Sequence, residues 1–102
     1  MEAVTPAIIV TPAAEQDIAA AISWYGSIHP ALSLDFRLAL EATFRRITHY
    51  PDSCEHTLRG MRRALLDRFP YGVFYRHYEQ AIQIIAVLHT SRDPHLWQSR
   101  TQ

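Results

Sequence analysis

Residues 61–89 read MRRALLDRFPYGVFYRHYEQAIQIIAVLH, and the reading of this stretch decides the fold. Met61 to Phe69, Val73 to Tyr78 and Ala81 to His89 are β-branched and aromatic runs of strand length, separated by Phe69-Pro70-Tyr71-Gly72 and by Glu79-Gln80. Connections this short join antiparallel neighbours, so three antiparallel strands are predicted. In the last of them Ile82, Ile84, Ala86 and Leu88 point one way and Gln83, Ile85, Val87 and His89 the other. Both faces are largely apolar, which predicts a central strand covered on both sides.

Upstream of this hairpin series the period is helical. Pro51 stops a segment, Ala31 to Tyr50, in which Phe36, Leu40, Phe44 and Ile47 fall on one stripe. Opposite them Arg37, Glu41 and Arg45 stand four apart as an exposed ladder. His29-Pro30 separates this helix from an earlier one. Thr11-Pro12 supplies the earlier helix with an N-cap and a proline at its first position. Ala14, Ile18, Ile22 and Tyr25 share its apolar face, Glu15 to Asp17 place negative charge in its first turn, and its end is expected near Gly26. Ala7-Ile8-Ile9-Val10, bounded by Pro6 and Pro12, reads as a brief strand. The order β, α, α, β, β, β describes one α+β domain, a helical hairpin whose apolar stripe a sheet must cover.

Composition agrees with a small soluble domain. The chain has 102 residues, 48% of them hydrophobic and 20% charged. No apolar run reaches the ~18 to 20 residues that span a bilayer, and the N-terminus lacks a basic segment followed by a long apolar stretch. Neither secretion nor membrane insertion is expected, and the single Cys54, which has no internal disulfide partner, suits a reducing compartment. The cytoplasm is the expected location. Net charge is zero but unevenly spread. Residues 1–57 hold three arginines against seven acids, a net −4, and residues 58–102 hold seven arginines against three acids, a net +4. There is no lysine. Arginine's planar fork binds carboxylates and phosphates bidentately, so its concentration in the second half points to an interface. A genome rich in arginine codons accounts equally well for the missing lysine but not for the asymmetry.

In this order the pieces resemble the RelE/ParE superfamily of bacterial toxins from type II toxin–antitoxin systems, and most closely its ParE-like branch, often called plasmid stabilisation proteins. The opening strand, Thr11-Pro12 to Ile18, Trp24-Tyr25 and Tyr50-Pro51 carry the resemblance through the first half. Met61-Arg62-Arg63, Arg68-Phe69-Pro70-Tyr71, Phe74-Tyr75-Arg76, Ala86 to His89, Arg92-Asp93-Pro94, Trp97 and Arg100 carry it through the second. The resemblance implies a helical hairpin packed on a small curved antiparallel sheet. It also implies a single toxin domain over residues 1–102, with residues 90–102 as its C-terminal tail, and a cognate antitoxin, ParD-like or similar, bound in a hetero-oligomer. ParE-like members inhibit DNA gyrase and so block replication and growth. RelE-like members cut mRNA on the ribosome. Fold alone does not choose between them.

Metal-independent RNA cleavage requires a base for the 2′-hydroxyl, a cation for the developing phosphorane charge and an acid for the leaving oxygen. His89, Arg62 and Arg92 are the candidates for that chemistry. Many RelE-like members place a catalytic tyrosine or histidine after the last strand; here residues 90–97 read TSRDPHLW, with no tyrosine and with His95 as the only substitute. Consecutive strand residues face opposite ways, so at most one of Arg62 and Arg63 looks into a common site. Arg76 shares a face with Phe74 and Tyr78, which serve either as core or as stacking platforms for bases. Cys54, His56 and His49 lack the paired spacing of a structural zinc site, three glycines make no phosphate loop, and nothing in the chain asks for a cofactor.

A gyrase inhibitor needs a surface rather than a catalytic constellation. Arg59, Arg62, Arg63, Arg76, Arg92 and Trp97 are of the types that make interface hot spots, and they are the candidates for contact with gyrase, with DNA that gyrase holds, or with the antitoxin. An acidic antitoxin segment that folds on binding would offset their charge. A toxin that has kept only antitoxin binding is the third reading. The expectation from sequence is a ParE-like gyrase inhibitor that is not itself an enzyme, with ribosome-dependent mRNA cleavage as the alternative.

Overall fold

The structure is a computed structural model that describes residues 6–91. Strand β1 (Ala7–Val10) leads into helices α1 (Pro12–Ile28) and α2 (Pro30–His49), and four strands follow: β2 (Glu55–His56), β3 (Arg62–Leu65), β4 (Tyr71–His77) and β5 (Ala81–His89). They form one sheet in the order β1-β5-β4-β3-β2. All neighbours are antiparallel except β1, which runs parallel to β5 from Ala7 opposite Ala81 to Val10 opposite Ile84. The α+β architecture expected from the sequence is present, with β2 added at one edge and a parallel strand at the other.

Local chemistry sets the helix ends. Thr11 caps α1, its Oγ1 accepting from the Ala14 N–H at 3.2 Å ahead of Pro12. The helix runs two residues past Gly26, where a Cβ would meet Ser33 of α2 at an ordinary 3.5 Å and the backbone takes no left-handed turn to end it. His29 does the stopping: its N–H caps the Tyr25 carbonyl at 3.0 Å, and its Nδ1 accepts from the Ala31 N–H at 3.1 Å to open α2. Ala14, Ala21, Phe36, Leu40 and Ile47 are buried against Ala64, Val73, Tyr75, Ile82, Ile84 and Val87 of the sheet. At one end Tyr25, Phe36, Phe69 and Tyr71 interlock with ring centroids 4.9–6.0 Å apart.

Two strand boundaries differ from those expected. β3 ends at Leu65 because the chain turns at once: the Leu66 N–H reaches the Tyr71 carbonyl at 3.0 Å and Arg68 takes φ +70°. β4 begins at Tyr71 because Phe69-Pro70 completes the turn. The larger difference is in β5. Ala86 stands opposite Phe74 and Ile84 opposite Tyr75, so Ile85 is an extra residue, a β-bulge. It reverses the alternation beyond Ile84. Val87 joins Ile82 and Ile84 on the helix side, while Ala86 and Leu88 join Ile85, Phe74 and Met61 in a second buried cluster on the opposite face. β5 is thus interior and buried on both faces, as the sequence predicts, although Ala86 and Leu88 do not share a face with Ile82 and Ile84. Where β1 ends, α1 takes over the free edge of β5: the Thr11 N–H donates to the Ile84 carbonyl at 3.1 Å and Asp17 Oδ2 accepts from the Val87 N–H at 3.0 Å.

Candidate functional site

The two faces of the sheet receive different arginines. Arg62 stands opposite Tyr75 on the helix side, and its guanidinium turns inward to the loop between α2 and β2. Nη1 donates to the carbonyls of Asp52 and Cys54, both at 2.9 Å, and Nε lies 3.7 Å from the Asp52 carboxylate. Tyr75 donates its hydroxyl to the Pro51 carbonyl at 2.6 Å, and His77 Nδ1 meets Asp52 Oδ1 at 3.0 Å. The His77 hydrogen bond holds the Asp52 carboxyl below the usual carboxylate range, and burial pushes the Tyr75 phenol well above its ordinary value. The arrangement staples residues 51–54 to the sheet. Arg62, with a side chain 18% exposed, is spent largely on that staple.

On the opposite face Arg63 stands beside Phe74, with its aliphatic stem over Gly72; a Cβ at position 72 would lie 3.2 Å from Arg63 Cγ and Cδ. Its Nη2 pairs with Glu55 at 2.6 Å. Arg76 is two residues along β4 from Phe74, and its Nη2 donates to the Arg59 carbonyl at 2.6 Å. That bond holds the turn Leu58–Gly60, in which Arg59 and Gly60 take φ +62° and +72°, so the exposed Arg59 is presented from a left-handed backbone. The Nε atoms of Arg63 and Arg76 are buried without an acceptor. Of the two aromatic residues that share this face, Phe74 is core at 6% exposure and Tyr78 is outside at 48%. The Tyr78 hydroxyl lies 3.5 Å from Gln83 Oε1, and Gln83 is the cross-strand partner of Arg76.

His89 is at the far end of β5, edge-on to Tyr71 at 5.4 Å. The Ser91 N–H donates to its Nδ1 at 3.1 Å and Ser91 Oγ lies 2.8 Å from the same atom. A ring nitrogen that accepts from a backbone N–H has no proton of its own, so the neutral imidazole carries its proton on Nε2. His89 lines a groove of about 410 Å³ with Asp17, Ala20, Trp24, Tyr71 and Val87. Trp24 is 62% exposed there, a feature that a helical pattern alone does not mark, since position 24 is simply off the apolar stripe.

The structure therefore gathers Arg63 and Arg76 on one face, with Arg59 in the turn that Arg76 holds, and sends Arg62 to the other. It does not bring Arg62 and His89 together. They face Tyr75 and Tyr71, four residues apart along β4, or about 13 Å of strand. Arg92 and Trp97, with His95 and Arg100, lie outside the described residues. Among the described residues no group of three or more His, Cys, Asp or Glu is placed to hold a metal ion, and no helix is long and apolar enough to cross a membrane.

Comparison with known proteins adds three findings. Residues 8–94 match the family described as "ParE toxin of type II toxin-antitoxin system, parDE". The chain is 31% identical over 81 residues to proteins named Toxin ParE2 from two strains of Mycobacterium tuberculosis, H37Rv and CDC 1551, with 78% of this chain and 77% of each relative covered. It also resembles a solved chain titled "Chromosomal ParDE TA system from P. aeruginosa", with a TM-score of 0.74 over 85% of this chain and 98% of that one. At 18% identity the last likeness speaks for the fold.

Proposed function

This chain belongs to the ParE toxin family of type II toxin–antitoxin systems, and from that premise we propose that it arrests growth by inhibiting DNA gyrase in the cytoplasm and is neutralised by a cognate antitoxin. The observation that carries the choice of a protein target over mRNA cleavage is the separation of two of the three candidate catalytic groups, Arg62 and His89. A phosphorane-forming reaction needs its base and its cation within a few ångströms of one phosphate. Arg62 is bound to the carbonyls of the 51–54 loop, while His89 sits about 13 Å of strand away with Nδ1 occupied by Ser91. Binding to a protein makes no such demand; it needs exposed arginine and aromatic anchors, and Arg59, Tyr78 and Trp24 are such groups, with half-buried Arg76 beside Arg59.

Neutralisation follows from charge. An antitoxin segment rich in Asp and Glu would pair with the basic half of the chain, whose net charge is +4, and fold as it binds. The test is pulse-labelling of new DNA and new protein in bacteria in the minutes after this chain is induced without its antitoxin. DNA synthesis is expected to fall first. Protein synthesis falling first would replace gyrase by the translation machinery, and growth unaffected by accumulating folded chain would leave only antitoxin binding.

A further inference from the structure

We propose that one end of the sheet face opposite the helical hairpin, beyond its buried Met61, Phe74 and Leu88, is a contact surface for single-stranded nucleic acid, centred on Arg59, Arg76 and Tyr78. The three are linked in space: Arg76 Nη2 reaches the Arg59 carbonyl at 2.6 Å, Gln83 is the cross-strand partner of Arg76, and the Tyr78 hydroxyl lies 3.5 Å from Gln83 Oε1. Each supplies a different part of the recognition. A guanidinium carries five N–H donors; in half-buried Arg76 the Nε is buried and Nη2 gives one bond to the Arg59 carbonyl, so a phosphate is met by its terminal nitrogens. Arg59 adds an exposed charge on a turn that the Arg76 bond fixes. Tyr78, 48% exposed beside them, offers a ring on which an unpaired base stacks, a contact that duplex DNA with its bases already stacked does not make. Of the nearby acids, Glu55 is taken by Arg63 at 2.6 Å, and Glu79 is an exposed residue of the turn between β4 and β5. Gln83 supplies an amide for base edges without adding charge.

The inference goes beyond the gyrase reading and does not depend on it, because binding is measured without gyrase. Fluorescein-labelled dT12, rU12 and a 12-base-pair duplex are titrated with the full chain at 50 and 200 mM salt and followed by fluorescence anisotropy. The single strands are expected to bind more tightly than the duplex, and affinity is expected to fall as salt rises, by about 0.7 in log–log slope for each phosphate neutralised. Tyr78→Ala is expected to weaken binding about tenfold at either salt concentration. Arg59→Gln and Arg76→Gln are expected to weaken it and flatten the salt slope. Arg45→Gln, on the exposed face of α2, leaves it unchanged. Because Arg76 also holds the 58–60 turn, Arg59→Gln and Tyr78→Ala, whose side chains project outward, carry the decision, with folding checked by circular dichroism. A preference for dT12 or for rU12 identifies the source as DNA or RNA. No binding at 50 mM salt, tighter binding of the duplex, or affinity unmoved by both Tyr78→Ala and Arg59→Gln overturns the proposal. The last result together with intact gyrase inhibition would leave the gyrase reading standing.

Discussion

Two arginines one position apart, Arg62 and Arg63, have different work because a strand alternates its faces. Arg62 is the structural one. Arg62→Ala removes two hydrogen bonds to carbonyls that lie against the sheet and is expected to cost about 2 kcal/mol, which for a domain of this size lowers the melting temperature by roughly 10 °C in a thermal melt. Arg62→Lys recovers only part of this, since an ammonium cannot span both the Asp52 and Cys54 carbonyls as the fork does. Asp52 gives the same loop a pH dependence. Its carboxyl is held below its ordinary value by the His77 hydrogen bond, so its contribution is present above the unfolded value, about pH 4, and is lost as pH falls through the depressed folded value. In urea titrations the gap between the wild-type chain and Asp52→Asn is therefore expected to be steady near pH 5 and to close below about pH 4. The sequence shows that Arg62 and Arg63 must part company but not which of them turns inward, because the partners of Arg62 are loop carbonyls that carry no residue signature. It is equally silent on His89, whose ring orientation is set by a backbone N–H two residues later.

At the scale of elements, the hydrophobic period and the turn residues carry most of the fold. Thr11-Pro12, His29-Pro30 and Pro51 place both helices within two residues, and the stripe Phe36, Leu40, Ile47 is the face that α2 buries. The β5 bulge escapes such reading because a strand apolar on both faces keeps the same pattern when one residue is inserted. Its effect is large: without it Val87 would leave the helix side and the Asp17 bond to its N–H would be lost. Thr11 serves both α1 and this region, capping Ala14 and lying 3.4 Å from the Ile85 carbonyl. Thr11→Val is expected to cost about 1 kcal/mol in urea unfolding, and Thr11→Ser to retain most of the stability. Phe36 has the greater role. Fully buried at the centre of the aromatic cluster, it is expected to cost about 3–5 kcal/mol when replaced by alanine, a large share of the roughly 5–15 kcal/mol that holds such a domain together. The two-residue β2 carries too little pattern to be read from sequence and exists because β3 offers it an edge.

The whole molecule is a neutral chain with a charge axis, acidic in its first half and basic in its second. The fold turns that axis into a surface: the helical hairpin covers one side of the sheet, and Arg63 and Arg76 stand on the other, with Arg59 in the adjoining turn. If an acidic antitoxin segment lies over that side, Arg76→Glu is expected to weaken the complex at least tenfold in a competition measurement and to reduce its sensitivity to salt. A change that leaves the affinity untouched would place the antitoxin elsewhere, with the Trp24 groove as the next surface to scan. Family and fold were both legible in the sequence, because short motifs in a fixed order survive where overall identity is low. The target was not, since a binding surface is defined by what fits it. The most direct measurement of the central claim is supercoiling of a relaxed plasmid by purified DNA gyrase in the presence of the folded chain. Supercoiling is expected to be lost as the chain is added and restored when the antitoxin is bound to it first. Full supercoiling at a many-fold excess of folded chain would contradict the assignment of gyrase as its target.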